Sequence, residues 1–123
     1  MANQNDLQKA RDYTRARDAS VIVNGADLSR AYLLGADLAG SNLSFARFDQ
    51  ANLRRANLTR TVFSGASLIG ADLSGACLRG ANFTGANLTN ANFTNADLFG
   101  AQFNGADRTG AIFYGANWFE VTP

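Results

Sequence analysis

One cysteine, a row of aspartates and a cluster of arginines are the side chains of this chain whose types could do chemistry. Cys77 is the sole thiol, so no disulfide can close within the chain. It sits in the segment ACLRG with a cation, Arg79, two residues on, and reads as a tolerated surface cysteine rather than a nucleophile. Asp27, Asp37, Asp72, Asp97 and Asp107 could pair as acids. Each stands where neighbouring segments carry asparagine, so a turn role accounts for them better than catalysis. Histidine is absent, which removes the usual nucleophilic triad and most zinc sites. No HExxH, CxxC, GxxxxGK or GxGxxG occurs. The sequence therefore predicts no enzyme, no cofactor and no metal.

The elements that must carry these residues follow from a repeat. From Ala26 the chain runs ADLSR, AYLLG, ADLAG, SNLSF, ARFDQ, ANLRR and onward to ANWFE, nineteen five-residue units without insertion. VIVNG fits the same register before them, so the array spans 21–120. A large apolar residue returns at every fifth position but one, from Leu28 to Trp118, with a small residue two places before it. A helix would spiral residues spaced by five around its whole surface. A flat strand would send them alternately to opposite faces. Both large and small residues can point inward only if the chain turns after each unit. If each unit is one side of a square, twenty residues make one coil.

This pattern resembles the pentapeptide-repeat family, whose motif is A(D/N)LxX, over about four-fifths of the chain. The resemblance implies an all-β fold, a right-handed quadrilateral β-helix of about five coils. Residues twenty apart should then stack: Val23, Leu43, Phe63, Phe83 and Phe103 in one ladder, and Leu33, Leu53, Leu73, Phe93 and Phe113 in another. A third stacks Leu38, Leu58, Leu78, Leu98 and Trp118. Glycine closing many units suits a corner of positive φ.

Three segments result: an N-terminal cap over 1–20, the solenoid over 21–120 and a tail over 121–123. The cap reads either as a short helix over about 5–18, with Asn5 as N-cap, or as a disordered polar tail. It lacks the apolar core of a secretory signal, and no stretch approaches the ~18 apolar residues of a membrane helix. A cytoplasmic location without membrane contact is the expectation.

Two surface features offer partners. Arg47, Arg54, Arg55 and Arg60 form a basic cluster, with Arg30 one coil earlier. They read either as a solvated face or as a contact for phosphate or an acidic partner. Phe99, Ile112, Tyr114 and Phe119 are apolar at outward positions near the C-terminal coil, a candidate surface for homodimerisation. Arg108 replaces the central apolar residue in ADRTG, and reads as a polar end cap or an interface contact. The formal net charge of +1 gives no support to nucleic-acid binding. The function expected is a non-catalytic scaffold for an unidentified protein partner. The alternative is a DNA-mimicking inhibitor or protector of DNA gyrase, which near-neutral charge disfavours. The family is expanded in cyanobacteria, so the resemblance is compatible with such a source.

Overall fold

The computed structural model describes residues 24–123. Val23 and the capping helix expected over about 5–18 lie outside the described residues. Backbone pairing steps by twenty without a break, as parallel bridges from Asp27–Arg47 through Asn57–Cys77 to Gln102–Thr122. Each unit also closes a four-residue turn, as where Ala31 N donates to Leu28 O at 3.0 Å. Four turns per twenty residues make each coil four-sided. The first side carries 26–30 and its repeats, the second 31–35, the third 36–40 and the fourth 41–45. No helix among the described residues is long and apolar enough to cross a membrane.

The motif itself follows from hydrogen-bond accounting. In the unit 51–55, Ala51 N closes the turn onto Phe48 O at 2.9 Å. Asn52 N reaches back one coil to Ala31 O (2.9 Å), while Leu53 N and Arg55 N reach forward to Asp72 O (2.8 Å) and Ser74 O (3.0 Å). That leaves Arg54 N, which donates to the Asn52 side-chain Oδ1 at 3.1 Å. All five donors are met, as polar backbone beside a dry core requires. Where Asn or Asp stands before the central residue, its side chain supplies that acceptor. The unit 66–70 has Ser67 there instead. Asp49, one coil earlier, takes over by accepting from Ile69 N at 3.1 Å and from the Ser67 hydroxyl.

The interior is filled. Leu43, Phe63 and Phe83 on one ladder and Leu53, Leu73 and Phe93 on another are wholly buried, with alanines in the spaces between. Phe63, Phe83 and Phe103 stack at 5.0 Å per step, and Phe93 stacks on Phe113 at 4.9 Å. Two inner small positions are polar, Ser41 and Thr61, stacked one above the other. Both hydroxyls donate to one carbonyl, Leu38 O, at 2.6 and 3.0 Å, so neither is buried without a partner.

Every fifth residue from Gly25 to Glu120 has positive φ, whatever its side chain. Glycine was expected there, yet Arg30, Phe45, Gln50, Arg55, Arg60, Asn90, Asn95 and Glu120 adopt the same conformation at φ 57–62°. All four corners of the coil 41–60 carry side chains. These lie over the glycine corners of the next coil: the Phe45 ring occupies the space beside Gly65, within 2.6 Å of where a Cβ would stand. Gly85 has open space around it. Gly85→Ala should therefore cost about 1–2 kcal/mol from left-handed strain alone. Gly65→Ala should cost up to about 1 kcal/mol more, because Phe45 must move. Urea unfolding checks this, and the excess should vanish in a Phe45→Ala background.

Candidate interaction surfaces

The alternation of inward and outward positions decides where each predicted residue stands. Arg47 is on the first side, Arg54 and Arg55 on the second and Arg60 on the third, so the basic cluster is a belt around one coil. It does not form one flat face, because a step of five residues turns a corner. Arg47 pairs with Asp49 at 3.4 Å and Arg54 with Asp72 at 3.9 Å. Arg55 and Arg60 have no carboxylate within ion-pair distance among the described residues.

The third side carries more than its own share of the belt. Its fourth-position row reads Ala39, Thr59, Arg79, Phe99, Phe119 and its corner row Gly40, Arg60, Gly80, Gly100, Glu120. The glycines leave a groove of about 560 Å³ along the solenoid axis, bordered by Arg60, Arg79 and Phe99. Arg79 is held in place, with its Nη1 3.2 Å from Asp97 Oδ2 and its guanidinium 4.7 Å above the Phe99 ring. Cys77 is half-buried on the same side with its Sγ 3.2 Å from the Thr59 hydroxyl. This contact gives it a local partner and no base.

At the last coil, Ile112, Tyr114 and Phe119 are exposed, Tyr114 by 80%. Phe99 is partly covered by Arg79. The Arg108 guanidinium lies 5.7 Å from the Phe103 ring and 5.9 Å from Trp118, inside cation–π range. Asp107, beside it, accepts from the Thr109 hydroxyl at 2.6 Å and the Thr109 N–H at 3.0 Å. These bonds favour the charged form and hold its carboxyl below the usual aspartate value. No group of His, Cys, Asp or Glu among the described residues could hold a metal ion. Tyr32 and Phe45 are also exposed, by 74% and 66%, and the sequence reading did not single them out. Their outward positions in AYLLG and SNLSF were the signal available.

The profile described as Pentapeptide repeats matches this chain over 23–55, 46–85 and 81–117, in eight copies. The chain belongs to the pentapeptide-repeat family. No curated relative matches it. Among solved structures, it resembles the pentapeptide repeat protein Rfr23 of the cyanobacterium Cyanothece 51142 at 33% identity, over 71% of this chain and 63% of that one, with a TM-score of 0.48. A pentapeptide repeat protein of the Arabidopsis thaliana thylakoid lumen is 43% identical over 73% of this chain and 63% of its own, TM-score 0.38. One from Nostoc Pcc 7120 is 32% identical over 85% of this chain and 93% of its own, TM-score 0.44. The chain thus spans about three-fifths of the first two. Pentapeptide-repeat proteins form right-handed quadrilateral β-helices, and the pairing of residues twenty apart in this chain has the period of such a coil.

Proposed function

We propose that this pentapeptide-repeat protein is a non-catalytic scaffold, a rigid rod that displays side chains in registered rows to a protein partner. The observation that carries the reading is the filled interior. Among the described residues, leucine, phenylalanine and alanine occupy every fully buried ladder position but Ser41 and Thr61, so the groups able to recognise a partner stand outside. Proteins of this fold generally serve structural roles, which supports the same reading. The alternative of a gyrase-directed DNA mimic draws no support from a chain of net charge +1, since such mimicry needs a strongly negative surface.

One contact of the scaffold is a second copy of the chain, met through the C-terminal coil. Ile112, Tyr114 and Phe119 supply exposed apolar area there. Arg108 puts a cation at a position that every other described coil fills with Leu or Phe, which marks this coil as a boundary of the apolar stack. Light scattering should give a dimeric mass for the intact chain and a monomeric one for Phe119→Glu, because a carboxylate placed in an apolar contact loses its hydration. A monomeric mass for both, or a dimer that survives the substitution, overturns the C-terminal contact.

A further inference from the structure

We infer that the groove on the third side binds an extended, acidic peptide segment bearing an apolar side chain. This deepens the scaffold reading and rests on it. The floor runs from Gly40 past Gly80 to Gly100, three coil steps or about 14 Å at strand spacing. The groove, of about 560 Å³, is open along one side, and an extended chain can be laid along it. At about 3.3 Å per residue, some four residues would lie along it.

The chemistry of the walls sets the occupant. Among the described residues no acid lines the groove, and two guanidinium groups do, one of them paired with Asp97 beside it. Arg60 has no ion pair among the described residues. It also holds a left-handed backbone, φ 57°, on a row where Gly40, Gly80 and Gly100 adopt it without strain. Its stem lies along Gly80, with Cγ 3.3 Å from the site a Cβ would take, which aims the side chain along the groove. Arg79 commits Nη1 to Asp97 and keeps further donors of its fork for a second carboxylate. The Phe99 ring is 37% exposed with Arg79 over it. Its free area offers an apolar contact at the far end from Arg60. A partner presenting carboxylate near Arg60 and Arg79, and an aliphatic or aromatic group near Phe99, meets all three.

An array of octapeptides in which each position varies among Glu, Lys, Leu and Ser is the probe. The intact chain should retain peptides holding both Glu and Leu about ten-fold over their Lys counterparts at low salt. Arg60→Gly should lose about ten-fold of that binding, and its thermal midpoint should not fall, since glycine is at ease in that corner. Arg60→Asn, a residue already found at such corners in Asn90 and Asn95, serves as the second variant. Phe99→Ser should erase the preference for Leu while keeping that for Glu. Equal retention of Glu and Lys peptides overturns the inference, as does retention unchanged in both Arg60 variants or no retention at all. Complete displacement by about 10 mM inorganic phosphate would also overturn it, since a bare anion site would then suffice. Any of these with the dimer intact in light scattering removes the groove and leaves the scaffold standing.

Discussion

Phe83→Ala should lower the unfolding free energy by about 5 kcal/mol, at the upper end of the range for phenylalanine truncation. Phe83 is wholly buried at the middle of a stack, 5.0 Å from Phe63 on one side and 5.0 Å from Phe103 on the other. It also meets the edge of Phe93 at 5.7 Å. The truncation removes transfer free energy and forfeits ring contacts worth about 0.5–1.5 kcal/mol each. The cavity cannot close, because the coil spacing is fixed by the backbone ladder: Phe83 N donates to Gln102 O at 2.8 Å and Asn82 N to Thr61 O at 3.0 Å. Typical domains are stable by about 5–15 kcal/mol, so one substitution should consume much of the total. Phe113→Ala is the control. Phe113 also makes three ring contacts, stacked on Phe93 at 4.9 Å and edge-on to Phe103 at 6.0 Å and Trp118 at 4.7 Å, but it is only partly buried, so its loss should cost less. Urea unfolding of the three proteins measures both values. A change in m-value would show that the coils on either side of position 83 have begun to unfold separately, as repeat arrays can. Equal losses at the two positions would mean that depth of burial adds little to the ring contacts that both residues make.

The architecture was legible because the five-residue period dictates the backbone and tolerates almost any outward side chain. Leu38, Leu58, Leu78 and Leu98 could be placed in one buried ladder from numbering alone, and each is fully buried. The corners show the limit of composition. Glycine pointed to positive φ at Gly35 or Gly75, but nothing in the residue type of Phe45 or Arg55 does so. Those residues take the conformation because the coil imposes it. The surfaces were less legible for a geometric reason. Residues close in sequence, such as Arg55 and Arg60, fall on adjacent sides. Residues that line one groove, such as Arg60, Arg79 and Phe99, are separated by nineteen or twenty positions. A reading that clusters neighbours along the chain finds the belt and misses the groove. The role of Asp49 was hidden similarly, since it satisfies Ile69 N from one coil away.

The small inner positions should be as unforgiving as the large ones, in the opposite direction. Ala71→Leu should destabilise the protein by about 3 kcal/mol or more, the upper range for overpacking. Ala71 is wholly buried in the same core as Leu68 and Leu73, which are themselves wholly buried. Its N–H closes the turn onto Leu68 O at 3.1 Å and its carbonyl accepts from Asn92 N at 2.9 Å. To admit three more carbons the coil would have to widen, and widening breaks these bonds in coils above and below. A globular core can spread such a shift over many soft contacts, whereas here each side of the square is pinned to its neighbours along the axis. Ala71→Ser should be far milder, about 1 kcal/mol, because Ser41 and Thr61 show that a hydroxyl at this kind of position can turn to a carbonyl of the preceding turn or coil. Thermal and urea unfolding of both variants separates size from polarity. If Ala71→Leu proved as mild as Ala71→Ser, alanine would be present for its turn conformation and not for its volume. The interior could then accept larger side chains, and the width of the solenoid would be set by the corners alone.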